Sequence, residues 1–145
     1  MYKIKKKLTS VSCCFRNHRA ESHCKYLHGH DLVFEIEVAS VDLDSAGWVF
    51  DFGGFSILRA EIERRFDHKT LVAKDDPMMS VFREMQKKDL IQLSEFELTT
   101  CEHFAEYTFV ICSNLLKDLY VHSVCVTEEG KNSAIYINKE GGMEL

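Results

Sequence analysis

"HCKYLHGHDLVFEIEV", residues 23–38, is the most informative stretch of the sequence. From Leu32 to Val38 apolar and acidic residues alternate, which predicts a half-buried antiparallel strand with its apolar side on the core. His28 and His30 stand two residues apart at the start of this strand. Their rings therefore project from the same face, about 6–7 Å apart along the chain, and both can reach one metal ion.

Neutral imidazoles around an open coordination position are typical of catalytic zinc. A third ligand is required, and either His18, near the expected end of the first strand, or His23 could supply it. A His-x-His pair on a strand also occurs by chance, but two further histidines and Cys24 within a dozen residues favour a metal site. A closed structural zinc site fits less well, because such sites use cysteine-rich shells.

Strands are predicted on both sides of this stretch. Irregular alternation from Tyr2 to about Cys14 predicts a first strand, and Trp48–Phe50 is expected to return to extended structure. Two strands, residues 122–129 and 133–139, end the chain and are joined by the turn "EGKN".

Two helices are predicted from apolar residues that recur with the helical period. The stripe of the first helix, in "DFGGFSILRAEIERRF", consists of Phe55, Leu58, Ile62 and Phe66. The second helix begins after Thr100 as N-cap, and its stripe consists of Phe104, Thr108, Ile111, Leu115 and Leu119. A short additional helix is expected from Pro77 to about Lys87.

This order predicts one α+β domain over residues 1–145, with an extra segment at about 72–98. Four antiparallel strands would form the sheet, with two helices on one of its faces, in the chain order ββααββ.

Composition excludes several classes of protein. A chain of 145 residues with 46% hydrophobic residues can bury a core, and its net charge of −5 argues against nucleic acid as a partner. No window reaches the ~18 apolar residues of a membrane span, and the first residues do not resemble a secretory signal. We therefore expect a cytoplasmic protein whose six cysteines are reduced.

Three further positions combine reactive residue types. Cys24 could be a nucleophile or proton carrier beside a metal, although most cysteines are buried structural thiols. In Asp67–His68 a carboxylate could orient an imidazole as a general base, although such pairs also occur by chance. Glu128 ends an apolar strand, where it is either solvated or accepts hydrogen bonds from the N–H groups of a ligand.

Five motifs in order, from Cys24 to Tyr136, resemble the 6-pyruvoyl-tetrahydropterin synthase / 6-carboxy-tetrahydropterin synthase family. They are "CKYLHGH", "GWVFDFGGF", "FDHKTL", "TTCEHFAEY" and "VCVTEEGKNSAIY". Each motif is weak by itself, but five in the family's order are strong.

The resemblance implies a tunnelling fold (T-fold), in which three chains form a barrel and two trimers stack as a homohexamer. It implies a zinc-dependent lyase that converts 7,8-dihydroneopterin triphosphate to 6-carboxy-5,6,7,8-tetrahydropterin in queuosine biosynthesis. The alternatives are the pyruvoyl-forming reaction, or a divergent pterin-binding protein without this activity.

The resemblance also implies roles for individual residues. Zinc would be held by His18, His28 and His30, with His23 as the alternative third ligand. Cys24 would be the catalytic proton carrier, completed by Asp67 and His68 across a subunit interface. The pterin would be bound by Glu128, Thr100 and Cys101.

The chain departs from the family pattern at several places, among them Thr99 in place of a proline at the entry of the second helix, and two departures concern the metal and the pterin. "CCFRNH" replaces the family's two small residues followed by a histidine, so the identity of the third zinc ligand stays open. Glu129 replaces the threonine that follows the anchoring glutamate, and this adds negative charge beside the pterin site.

Overall fold

Six strands and three helices form the part of the chain that the structure, a computed structural model, describes, residues 1–140. The strands are β1 (Tyr2–Phe15), β2 (His28–Ser40), β3 (Lys69–Ala73), β4 (Leu93–Phe96), β5 (Tyr120–Glu128) and β6 (Asn132–Ile137). The helices are α1 (Ser56–Phe66), α2 (Met79–Lys87) and α3 (Cys101–Leu115). Within these residues no helix is long and apolar enough to cross a bilayer.

All six strands belong to one sheet, in the order β4-β3-β1-β2-β5-β6. The contacts between β1, β2, β5 and β6 are antiparallel, whereas β3 runs parallel to both β1 and β4. The α+β prediction is therefore confirmed, but the predicted four-stranded sheet and the order ββααββ are wrong. The two additional strands come largely from the segment at 72–98, whose short buried runs lack the alternation that marks a strand in sequence.

Helices α1 and α3 cover one face of the sheet, as predicted. The stripe of α1 is confirmed, because Phe55, Leu58, Ile62 and Phe66 are all buried. In α3, Thr100 caps the helix by accepting a hydrogen bond from the His103 N–H. The last part of its predicted stripe is wrong: the helix ends at Leu115, and Cys112 is the buried residue of its last turns.

A bulge in β1 decides which residues of that strand face the core. Between the pairs Leu8–Phe34 and Val11–Leu32, β1 has one residue more than β2, and Ser10 takes a φ of 64°. The extra residue shifts the alternation by one position. Because of this shift Phe15, at the end of β1, points to the core side and reaches the mouth of β2.

The short helix α2 lies on the opposite face of the sheet from α1 and α3. Neighbouring residues of a strand point to opposite faces, and in β3 Leu71 joins the main core whereas Val72 packs against Met79 and Phe82. The predicted helix at residues 77–87 is confirmed, with two residues fewer at its start.

The prediction of extended structure at Trp48–Phe50 is wrong. This segment contains bends, and the Asp44 carboxylate accepts hydrogen bonds from the Ala46 and Trp48 N–H groups at 2.8 and 2.9 Å. The side chain thereby satisfies backbone donors that would otherwise pair with a neighbouring strand.

A buried ion pair fixes the chain after β1 to the loop before α2. Asp76, with 1% of its side chain exposed, accepts hydrogen bonds from Arg16 Nε at 2.9 Å and from the Met78 N–H at 2.8 Å. Burial alone would raise the pKa of Asp76, but these donors outweigh it and lower the pKa below its ordinary value.

We expect Asp76→Asn to lower the free energy of unfolding by about 3 kcal/mol at pH 7, because it leaves the Arg16 charge partly buried and unpaired. The contribution of Asp76 is fully present above an unfolded-state pKa of about 3.9 and is lost as the pH falls through the lower folded-state pKa. Urea denaturation at pH 7 and pH 3 should show the difference between wild type and variant shrinking in acid. Glu97→Gln, in a surface pair with Lys74, is the control and should leave stability nearly unchanged; an equally small effect of Asp76→Asn would contradict the prediction.

Candidate functional site

A cavity of about 230 Å³ opens where the N-terminus of α3 meets the ends of β1 and β5 and the start of β2. Six of its lining residues matter for its chemistry: Phe15, Cys24, His28, His30, Cys101 and Glu128. The loop between β1 and β2, the first turn of α3 and the end of β5 thus contribute to one site.

The two histidines of the His-x-His pair lie side by side at this cavity. Their ring centroids are 4.2 Å apart. His28 Nδ1 lies 2.8 Å from the Tyr26 carbonyl, so a neutral ring donates from Nδ1 and keeps Nε2 as a free acceptor. Only 3% of the His30 side chain is exposed, and neither of its ring nitrogens has a hydrogen-bond partner. Unpaired buried nitrogens of this kind suit a metal ligand.

Two consecutive carboxylates approach His30, one on the last residue of β5 and one on the first residue of the β5–β6 turn. Glu129 Oε1 lies 3.1 Å from His30 Nδ1, and Glu128 Oε2 lies 3.7 Å from the same nitrogen. One ligand atom from each of these three residues lies within 4.8 Å of the others, which is compact enough for a metal ion. Burial lowers the pKa of His30 and so favours the neutral imidazole, the form that binds metals.

The structure does not bring His18 or His23 to this pair. The buried His18 ring lies beside the loop before α2, 3.7 Å from an Asp75 carboxylate oxygen and 4.0 Å from one of Asp76. His23 is exposed, in a single 3₁₀ turn at His23–Lys25. Neither residue lines the cavity.

Phe15 of β1 lies against the histidine pair. It pairs with His28 across the two strands, and its ring stacks on His30 with centroids 3.7 Å apart and planes 7° apart. The described residues therefore offer a divalent cation nitrogen and carboxylate ligands, and they do not gather three imidazoles.

Cys24 is the one exposed residue among the six cysteines, all of which lie in the described part of the chain. Its N–H donates to Ser22 Oγ at 3.3 Å, and its carbonyl accepts from the Asn17 N–H at 2.9 Å, so the loop holds the thiol at the cavity. By contrast, burial raises the pKa of Cys13 to about 12 and that of Cys112 to about 12. Cys24 is thus the thiol placed for chemistry on a ligand in the cavity.

Glu128, Thr100 and Cys101, the residues expected to bind a pterin, also meet in this cavity. Cys101 Sγ lies 3.5 Å from Glu128 Oε2 and can donate to it. Burial, followed by the negative charge of Glu128, raises the pKa of Cys101, so its thiol stays protonated. Glu128 can therefore accept hydrogen bonds from a ligand while Cys101 and the start of α3 support it.

Asp67 and His68 form the predicted pair at the end of α1, but away from the cavity of their own chain. Asp67 accepts a hydrogen bond from the Ser12 N–H at 3.0 Å, and its other oxygen lies 3.0 Å from His68 Nδ1. Burial alone would raise the pKa of Asp67, but the Ser12 N–H and His68 outweigh it and lower the pKa. The His68 side chain is 78% exposed, and neither residue lines the cavity.

Comparison with known proteins relates this chain to one family. The family described as 6-pyruvoyl tetrahydropterin synthase matches residues 3–139. The 6-carboxy-5,6,7,8-tetrahydropterin synthase of Rickettsia felis is 38% identical over 66 residues, which are 43% of this chain and 48% of that protein. The probable 6-carboxy-5,6,7,8-tetrahydropterin synthase of Halobacterium salinarum is 30% identical over 81 residues, 54% of this chain and 51% of that protein. The chain thus spans about half the length of the curated relatives it matches.

Solved structures share the fold. An uncharacterized protein from Wolinella succinogenes superposes with a TM-score of 0.84 at 19% identity, over 95% of this chain and 98% of that one. The 6-pyruvoyl tetrahydropterin synthase of Plasmodium vivax superposes with a TM-score of 0.62 at 14% identity, over 94% and 98% of the two chains. Because the family matches residues 3–139, nearly the whole of this chain, the chain belongs to the 6-pyruvoyl tetrahydropterin synthase family. The shared fold agrees with this assignment.

Proposed function

We propose that this protein is a lyase that converts 7,8-dihydroneopterin triphosphate and one water molecule to 6-carboxy-5,6,7,8-tetrahydropterin, acetaldehyde and triphosphate. One observation carries the proposal: Cys24, the histidine pair and Glu128 line a single cavity. The names of the matched curated relatives support this branch over the pyruvoyl-forming one.

Glu128 is the proposed anchor of the substrate ring. A carboxylate can accept two parallel hydrogen bonds from the adjacent N–H groups of a bicyclic pterin, and such charge-assisted bonds are the stronger ones. The Cys101 thiol, 3.5 Å away, stays neutral beside this carboxylate and adds no competing charge.

Cys24 is the proposed proton carrier for the side chain of the substrate. Its thiolate would take a proton from a carbon that bears a hydroxyl group, and the resulting thiol would return a proton at a later step. His28 and His30 are the proposed zinc ligands of this chain, and zinc bound there would polarise the side-chain oxygens and acidify the neighbouring C–H bonds.

The Asp67–His68 pair must come from another copy of the chain if it is to act with Cys24, because it lies outside the cavity of its own chain. Both ends of the sheet are open to such copies, since β4 and β6 are edge strands, and Ile135 and Ile137 of β6 are 61% and 47% exposed. We therefore propose that this chain assembles into the trimeric barrel and stacked hexamer of the family.

We also propose that the reaction belongs to queuosine biosynthesis and takes place in the cytoplasm, where the Cys24 thiol stays reduced.

We expect Glu128→Ala to weaken the binding of 7,8-dihydroneopterin about 10–100-fold, because hydrogen bonds to a charged group contribute about 1.5–3 kcal/mol. A fluorescence titration measures the dissociation constant, and zinc content should stay as in the wild type. Glu35→Ala removes a carboxylate of β2 that pairs with Lys5 outside the cavity and should leave the affinity unchanged. Unchanged affinity in Glu128→Ala would remove the anchor assignment.

The proposal is tested by incubating the purified protein with zinc and 7,8-dihydroneopterin triphosphate and identifying the products by mass. We expect 6-carboxy-5,6,7,8-tetrahydropterin together with acetaldehyde. A 6-pyruvoyl product would assign the other branch of the family, and unconsumed substrate would overturn the proposal.

A second candidate function is pterin binding without turnover. Phe15 favours it, because an apolar ring stands beside His30 where a catalytic zinc site would gain from a further imidazole. In that case the substrate would bind in the fluorescence titration and remain unchanged in the turnover assay.

A further inference from the structure

We propose that the metal centre of this chain is built on His30 and Glu129, with His28 beside them and Phe15 in the place of a third imidazole. The inference rests on the proposed function for His28 and His30. Metal binding is measured without turnover, however, so the two proposals can fail separately.

The first observation is that the nitrogens of the His30 ring are buried without a hydrogen bond. Its side chain is 3% exposed, it lines the cavity, and no hydrogen-bond partner satisfies either nitrogen. An unpaired polar group in such a place destabilises the folded protein. A bound cation would remove this cost by taking the lone pair of one nitrogen.

The second observation is the position of the Glu129 carboxylate. Its Oε1 lies 3.1 Å from His30 Nδ1, yet the two are not aligned for a hydrogen bond. Two ligand atoms that share a tetrahedral cation, each at about 2.1 Å, lie about 3.4 Å apart. The observed separation is therefore close to that of two ligands on one cation.

The local backbone aims Glu129 at the histidines. In the β5–β6 turn Glu129 and Gly130 take φ values of 49° and 66°, so the chain reverses directly after Glu128. The Asp31 N–H donates to Glu129 Oε1 at 3.0 Å, which holds the carboxylate beside the start of β2. Metal ligands in other proteins are also oriented by hydrogen bonds with neighbouring groups.

The third observation is Phe15, which excludes a third imidazole from β1. It stands opposite His28 in the strand pairing, its ring lies flat against His30, and its other side packs on Phe104 with centroids 5.3 Å apart. The side chain is therefore fixed by the core. A histidine at this position would place its ring beside the other two.

The test is a titration of the metal-free protein with Co²⁺, whose visible spectrum reports the coordination, and competition of Zn²⁺ with a chromophoric chelator. We expect one site, Zn²⁺ affinity lowered at least about 10-fold by Glu129→Gln, and loss of the site in His30→Ala. Phe15→His should raise the affinity at least about 10-fold, and in that background Glu129→Gln should have a smaller effect.

Controls separate these effects from general damage and from other ligands. Glu102→Gln, which removes a carboxylate that lines the cavity, and His18→Gln should both leave the Zn²⁺ affinity unchanged. Glu129 is exposed, so its variant should fold even if Phe15→His does not. Unchanged affinity in Glu129→Gln, or loss of the metal in His18→Gln, would overturn the proposal.

Discussion

Replacing Cys24 with alanine should lower the turnover of 7,8-dihydroneopterin triphosphate by about 10²–10⁴-fold, the usual contribution of a positioned acid–base group. The thiol lines the cavity and is held there by the Ser22 and Asn17 contacts of its backbone, so its loss removes the proton carrier without moving the loop. Zinc content and the affinity for the pterin should stay close to those of the wild type. The measurement is single-turnover kinetics with metal analysis of the same sample.

The matched control is Cys125→Ala, a half-buried cysteine of β5 that does not line the cavity. It should retain turnover within a few-fold. Wild-type turnover in Cys24→Ala would contradict the assignment of the proton carrier, and loss of zinc in Cys24→Ala would show that the thiol is a ligand instead.

Phe104→Ala should lower the free energy of unfolding by about 3–5 kcal/mol, a large share of the 5–15 kcal/mol typical of a domain. Phe104 is fully buried in α3, and its ring makes edge contacts with Phe15, Phe66 and Phe96 at 5.2–5.3 Å. The truncation leaves a cavity between the helices and the sheet. It also removes the support of the Phe15 ring that rests on His30.

Urea denaturation monitored by circular dichroism measures this loss. Val110→Ala, on the exposed side of the same helix, is the control and should change stability by no more than about 0.5 kcal/mol. A similar small change in Phe104→Ala would mean that the core between α3 and the sheet is less tightly packed than the structure shows.

The elements with a clear period could be predicted from the sequence. The alternation of β2 and the stripe of α1 repeat often enough that only one face can be buried. The strands β3 and β4 could not be predicted, because Thr70–Ala73 is buried on both sides and β4 has only four residues. Runs of this kind carry no alternation, and their parallel pairing depends on distant partners.

The candidate site was predictable to the extent that its residues share one local pattern. The pair His28 and His30 follows from the period of a strand, and the N-cap Thr100 from its residue type. Phe15 was missed because a bulge in β1 turns it toward His30, and Glu129 was expected beside the pterin but not beside His30, where positive φ values in the β5–β6 turn bring it. The only sequence signals were the departures from the family pattern at "CCFRNH" and after Glu128.

A crystal structure of the Cys24→Ala variant with zinc and 7,8-dihydroneopterin triphosphate tests most directly whether this cavity is the place of the reaction. We expect the bicyclic ring to lie at the start of α3 with its N–H groups on the Glu128 carboxylate. Its side chain should run past position 24 toward His28 and His30. Substrate bound at another surface, or a cavity that stays empty at saturating substrate, would contradict the account.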